Sequence, residues 1–254
     1  MAFGSRIPIL AFVLAALPVL GCTSTSFAQD RIPTKSGDLE IQPIKHASFV
    51  LRWSGKTVFV DPAWDKSLYD GLPKPDLILF TDIHRDHFDV SIAQAVIGPE
   101  TRIIAPAAVR DLLPPGLQER TTVLANGASS SALGVQIEAV PMYNISPDRL
   151  RFHSKGRGNG YVLDVGGRRI YIAGDTEDTA EMRALERIDV AFIPMNLPYT
   201  MTIEQAADAV KAFRPAVVIP YHYGQSDVRK FADLVKSVPG MQVWLRDWRE
   251  EGAR

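Results

Sequence analysis

A single cysteine, Cys22, stands in a chain of 254 residues. That excludes an internal disulfide and any thiolate metal cluster. Net charge is nearly absent as well, at −1, so no global basic field is available to nucleic acid, and none is expected as a partner. No Gly-x-Ser-x-Gly turn occurs, which speaks against a serine hydrolase built on a nucleophile elbow. No apolar run reaches the roughly 20 residues that a membrane span requires. No internal repeat or long low-complexity tract is visible. Histidine is scarce: there are five in the chain, so their placement carries information. What is plentiful is ordinary. The chain is 46% hydrophobic and 22% charged, as expected of one globular α/β domain with a full core.

Residues 1–28 read as an export signal, outside the fold. Arg6 gives a positive start, Ile7 to Leu20 is uncharged and apolar, and small residues follow. Two cleavage readings stay open. Val19-Leu20-Gly21-Cys22 is similar to a lipoprotein signal, with Cys22 becoming a lipidated N-terminus and the sole attachment to a membrane. Ser26-Phe27-Ala28 before Gln29 is similar to an ordinary signal-peptidase site. Either places the protein outside the cytoplasm, in the periplasm. Residues 29–38 read as a linker and residues 39–254 as a single domain.

Leu39 to Ile44 alternates at period two, as a half-buried strand does, and 46–51 and 57–60 continue as strands. The apolar run Asp76-Leu77-Ile78-Leu79-Phe80 predicts a buried strand. It delivers Thr81-Asp82-Ile83-His84-Arg85-Asp86-His87-Phe88-Asp89, which holds two of the five histidines with carboxylates interleaved. Imidazoles and carboxylates packed this tightly at a strand end point to a metal site. Further strands are predicted at 102–105, 121–124, 135–140, 161–165, 169–173, 190–193, 216–219 and 243–245. A Gly/Ser turn is predicted at 127–134, and helices after Ser91, at 107–113, at 179–187, after the Thr202–Gln205 capping box and around Phe231. The segment 144–160 breaks the pattern. It is long, polar and basic (Arg149, Arg151, His153, Lys155, Arg157), and loops of this kind often serve function. Its arginines make it an anion-binding candidate. Two later strands end in ligand-type side chains, at Gly174-Asp175-Thr176 and at Tyr221-His222-Tyr223.

This set resembles the metallo-β-lactamase superfamily, whose motif is H-x-H-x-D-H followed by distant His, Asp and His ligands. Gly174-Asp175-Thr176 is similar to its bridging-aspartate turn, and Ile219 to Tyr223 to its final histidine strand. His46-Ala47-Ser48 and Val60-Asp61-Pro62 resemble the opening strands of the ascorbate-6-phosphate lactonase-like branch and, more remotely, of the N-acylphosphatidylethanolamine phospholipase D enzymes. The resemblance implies the α/β fold of that superfamily, an αββα sandwich of two mixed sheets flanked by helices, with the site at one sheet edge. It implies one or two zinc ions, with Asp86, His87, Asp175 and His222 forming a complete second site. The first site would keep His84 and share Asp175. There the chain departs from the pattern. Asp82 stands in place of the first histidine, and Tyr143-Asn144 in place of the third. Asp82 would ligate through oxygen, and His153 is the candidate to supply the missing nitrogen. An oxygen-richer first site tilts preference toward manganese or iron.

The resemblance implies a metal-dependent hydrolase that activates water and polarises a lactone, amide or phosphodiester bond of a small molecule, with Asp86 and His84 as the catalytic pair. The basic loop mildly favours an anionic substrate. His46, Asp61, Asn144, Arg157, Asn196 and Tyr199 are candidates for supporting ligands or touching substrate. Asp89 reads as a helix cap. The rival reading is a metal-binding or scaffold protein of the same fold whose catalysis has decayed, as the losses at Asp82 and Asn144 suggest.

Overall fold

A computed structural model describes residue 1 and residues 30–250; the export-signal reading falls on residues outside the described ones. Two seven-stranded sheets stack face to face. The first takes its strands in chain order: β1 (Asp30–Ile32), β2 (Leu39–Lys45), β3 (Ser48–Trp53), β4 (Lys56–Val60), β5 (Leu77–Leu79), β6 (Arg102–Ala105) and β7 (Thr121–Val123). The second does the same from its edge: β8 (Ser129–Ala132), β9 (Val135–Met142), β10 (Gly158–Val165), β11 (Arg168–Ile172), β12 (Val190–Pro194), β13 (Val217–Tyr221) and β14 (Gln242–Val243). Each sheet begins with three antiparallel pairings and ends with three parallel ones. The chain therefore traces one pairing scheme twice.

Alternation along the strands explains the layering, because successive side chains point to opposite faces. Phe49, Leu51, Val58, Val60, Leu77 and Leu79 face the second sheet and join Tyr161, Leu163, Ile172 and Phe192 in the main core. Their neighbours Val50, Phe59, Ile78 and Phe80 face outward, into a smaller core capped by Phe88, Ile92 and Val96. Helix α1 (Val90–Val96) supplies that cover, followed by the short turns α2 (Ala107–Arg110) and α3 (Pro115–Gln118). Beyond the second sheet lie α4 (Ala180–Arg183), α5 (Ile203–Phe213) and α6 (Val228–Val235). The layers are thus helix, sheet, sheet, helix. Among the described residues no helix is long and apolar enough to cross a membrane.

Several expectations change. Within the stretch read as a linker, Asp30–Ile32 pairs antiparallel with β2 as an edge strand. The presumed Gly/Ser turn holds β8, whose serines pair with β9 at the sheet edge. Helix α4 is four residues long, shorter than the stretch 179–187 predicted for it. β10 begins at Gly158, inside the stretch read as loop, because Gly158 and Asn159 pair with Met142 and Pro141. The capping box at Thr202 forms as predicted, with Thr202 and Gln205 bonding reciprocally.

Candidate metal centre

The ligand-type side chains converge where the two sheets meet. The motif Thr81–Asp89 connects β5 to α1. Backbone bonds from His87 and Phe88 to the His84 carbonyl fold it into a tight turn, and Asp89 caps α1 by accepting from Ser91 and Ile92. Asp61, just past β4, fixes His87. Its Oδ2 lies 2.8 Å from His87 Nδ1, and it accepts from the Thr81 amide at 2.7 Å and the Thr81 hydroxyl at 2.5 Å. His87 Nε2 is thereby aimed across at Asp175, just past β11. Gly174, at φ 67°, makes that approach; a Cβ there would meet Met142 Sδ at 2.5 Å. His222 follows β13. His46, Asp61 and His222 all hold positive φ (56°, 46° and 45°), a conformation that costs a non-glycine residue on the order of 1–3 kcal/mol. Three strained residues in one site indicate that the surrounding fold fixes their placement.

Two groups result. In one, Asp86, His87, Asp175 and His222 bring ligand atoms within 4.8 Å of one another. Asp175 Oδ1 lies 3.1 Å from His87 Nε2 and 3.2 Å from His222 Nε2, and Asp86 Oδ2 lies 3.2 Å from His222 Nε2. In the other, Asp82, His84, His153 and Asp175 meet the same limit. Asp175 faces both, with its Oδ2 3.0 Å from His153 Nε2.

The donor atoms themselves test whether a cation fits. His87 Nε2, His153 Nε2 and Asp175 Oδ1 are buried, yet none makes an aligned hydrogen bond. Buried polar atoms left so are rare and costly. Ligands bonded at about 2.0–2.2 Å to one ion stand roughly 3.3 Å apart, close to the separations seen here. Charge agrees. Burial alone would lower the His87 pKa, but Asp175, Asp61 and Asp86 overcome it and hold it well above its ordinary value. Burial would raise Asp86 and Asp175; the neighbouring imidazoles hold both below the usual carboxylate range. The pocket is rich in carboxylate and calls for positive charge. The residues fit a metal.

His153 reaches the site because its loop closes on itself. The chain leaves at Asn144 and returns at His153, where the Asn144 amide donates to the His153 carbonyl at 2.9 Å. The imidazole, 1% exposed, therefore arrives beside the position where a strand-end histidine was expected. The Asn144 side chain donates to the Arg149 and Tyr199 carbonyls and so pins the loop.

Asp82 is more committed than the sequence suggested. Arg157 bonds it through Nε at 3.1 Å and Nη2 at 2.9 Å, and His84 Nδ1 lies 2.7 Å from its Oδ2. That hydrogen bond raises the His84 pKa. Arg157 is thus a partner of Asp82 and is not among the residues lining the cleft, which fits the supporting one of the two roles expected for it. Two other loop cations are engaged too, Arg149 with Glu177, Gln205 and the Thr200 carbonyl, and Lys155 with Glu181, while the exposed Arg151 lies 4.7 Å from the Phe152 ring centroid. Three of the loop's four Arg and Lys side chains thus pair with carboxylates elsewhere in the protein.

Above the two groups lies a cleft of about 550 Å³. Asp86, His84, His153, Asp175 and His222 form its floor. Trp64, Phe152 and Tyr199 form much of its wall, with Asn196, Arg85 and Asp89. Sequence reasoning missed Trp64 and Phe152, which carry no motif. It missed Glu177 as well, a fully buried carboxylate that accepts from the Ile145 and Ser146 amides at 2.6 Å and holds the His153 loop. It also missed Glu250, which bonds His46 Nδ1. His46 Nε2 lies 3.3 Å from Asp86 Oδ2. Burial would lower the His46 pKa, but Asp86 and Glu250 raise it to about 9.

The comparisons with known proteins agree with this geometry. A family described as "Beta-lactamase superfamily domain" matches residues 40–222. A UPF0173 metal-dependent hydrolase of Thermoplasma acidophilum is 32% identical over 205 residues, covering 77% of this chain and 88% of the relative. Among solved structures, one from Parabacteroides distasonis, assigned as a metal-dependent hydrolase, is 42% identical with a TM-score of 0.80, covering 87% of this chain and 98% of that one. The metallo hydrolase Igni18 of Ignicoccus hospitalis is 26% identical with a TM-score of 0.69, covering 82% and 95%. Fold, ligand groups and relatives agree: the chain belongs to the beta-lactamase superfamily and is a metal-dependent hydrolase with the metallo-β-lactamase fold.

Proposed function

We propose that this protein is an exported zinc hydrolase that cleaves the acyl C–O bond of a lactone or the C–N bond of an amide in a small, partly apolar substrate. The observation that carries this reading is the pair of ligand groups sharing Asp175 beneath an aromatic-walled cleft. Zinc held there would supply Lewis acidity and make bound water acidic enough to attack at neutral pH. Asp86, His87, Asp175 and His222 would hold one ion; His84, His153 and Asp175 would hold the other, with Asp82 at its margin. The nitrogen of His153 makes the group around His84 less oxygen-rich than Asp82 alone implied, which weakens the case for manganese there and suits zinc.

The chain's own residues do the rest. Asp86 is kept ionised by its imidazole neighbours, and its side chain is 30% exposed at the cleft floor, so it can accept a hydrogen bond from an attacking water and orient it. His84, held at Nδ1 by Asp82, is steered at the cleft edge. Trp64, Phe152 and Tyr199 offer apolar surface, and the Asn196 amide beside them can hydrogen-bond a polar substrate group. Among the described residues, Arg85 is the one arginine or lysine in the cleft lining. This makes a phosphodiester the less suited bond, and the anionic-substrate reading loses most of the support it drew from the loop, since Arg149, Lys155 and Arg157 are paired.

The export reading rests on residues 1–28, with Cys22 as lipid attachment or Ala28 as the cleavage point. Mass spectrometry of the mature N-terminus from a fractionated host distinguishes the two. For the activity, elemental analysis should find close to two zinc ions per chain. A panel of lactones, anilides and a phosphodiester should show turnover in the first two. A chain that holds no transition metal and turns over none of them belongs to the decayed reading, which the substitutions at Asp82 and Asn144 favour.

A further inference from the structure

The family match ends at residue 222, yet the last described residues reach back into the site. After β14 the chain runs without regular structure across the sheet ends. Trp248 anchors it. Its side chain is fully buried, with its ring 5.8 Å from Phe49, 6.3 Å from Phe192 and 5.7 Å from Tyr221. The Trp248 carbonyl accepts from the His46 amide at 2.9 Å, and the Arg246 carbonyl accepts from the Tyr223 hydroxyl at 3.3 Å. Glu250 follows, with its side chain 2% exposed. Its Oε1 accepts from the Tyr223 amide at 3.1 Å, and its Oε2 bonds His46 Nδ1.

A buried carboxylate at this place requires an explanation, because it is costly to bury unless its partner needs it. Its two oxygens grip the residue after His222 and the imidazole that faces Asp86. The His46 and His222 rings lie 3.8 Å apart between centroids. A carboxylate on the far nitrogen of an imidazole fixes which way that ring turns. We propose that the C-terminal strap, through Glu250, is a positioning element of the metal centre: it locks His46, and through it sets Asp86 and His222 for the ion they share with His87 and Asp175. This rests on the metal-site reading above. Nothing in the ligand motif announces it, and the strap lies outside the segment by which the family is recognised.

The test uses the full chain. Zinc affinity is measured by competition with a chromophoric chelator, and the visible spectrum is recorded after cobalt substitution. Glu250→Gln keeps the size and an acceptor for Tyr223 but removes the charge, and Glu250→Ala removes both. Supporting carboxylates behind metal ligands typically account for about 10–100-fold in affinity. We expect one of the two zinc sites to weaken by about tenfold in Glu250→Gln and more in Glu250→Ala, with a shifted cobalt spectrum in both. Glu250→Asp should restore part of the loss. The wild-type chain gives an independent readout: zinc should slow hydrogen exchange of the strap amides more than that of the edge strand β1, because the coupling is reciprocal. If either variant folds and binds both ions as tightly as wild type with an unshifted spectrum, the proposal is overturned. If neither variant folds, the exchange measurement decides, and strap protection unchanged by zinc overturns it. A wild-type chain that binds no metal removes the metal-site reading itself, a separate outcome.

Discussion

The two ligand groups share Asp175 but are built differently. The group around Asp86, His87 and His222 takes every ligand from a strand end or the tight turn after β5, and Asp61 holds His87 from behind. The group around His84 and His153 borrows its nitrogen from a loop, and its Asp82 is already paired with Arg157. A guanidinium so close competes with a cation for the same carboxylate. The rigid group should therefore hold its ion more tightly, and the borrowed group should be the more readily stripped.

The sharpest way to break this comparison is His222→Ala. It should empty the rigid group and lower kcat/KM by more than about 100-fold, as loss of a ligand rather than of a supporting group; elemental analysis showing both ions retained would contradict the assignment. His153→Ala should remove the borrowed group's ion and leave the rigid group's, dropping the zinc count from two to one. Asp61→Asn tests the support behind His87. It should weaken zinc at the rigid group by about 10–100-fold, read by chelator competition, with the fold intact by circular dichroism. Arg157→Met sharpens the contrast from the other side. It leaves Asp82 with His84 as its remaining charged partner and should cost about 2–3 kcal/mol in denaturant unfolding, under the range for a fully buried pair because the guanidinium is 20% exposed. The same change should tighten metal at the borrowed group. Smallest is Asp89→Ala, which removes the cap of α1 and should cost about 1 kcal/mol without changing metal content.

The same contrast explains what the sequence disclosed. Ligand-type residues at the ends of apolar strands were legible because strand period and motif spacing are local; grouping Asp86, His87, Asp175 and His222 as one site took the resemblance to the superfamily pattern. His153 could be nominated because histidine is scarce. Its placement depends on the Asn144–His153 backbone bond and on Glu177, contacts that leave no mark on neighbouring residues. The pairing of Arg157 with Asp82 spans 75 positions and that of His46 with Glu250 spans 204, so neither has a local signal. The repeated pairing scheme was invisible for another reason. Strand pairing fixes backbone direction and side-chain alternation, and many sequences satisfy both.

Each sheet is assembled from strands consecutive in the chain, so most pairings close short loops. The metal centre is the exception: Asp86 and His222 are 136 positions apart. A permanent link across a loop of that size would remove roughly 5 kcal/mol of chain entropy from the unfolded state. An ion gripped from both halves does the same work reversibly. The centre would then act as a clasp as well as a catalyst, and the metal supply would set how long the two sheets stay closed on each other.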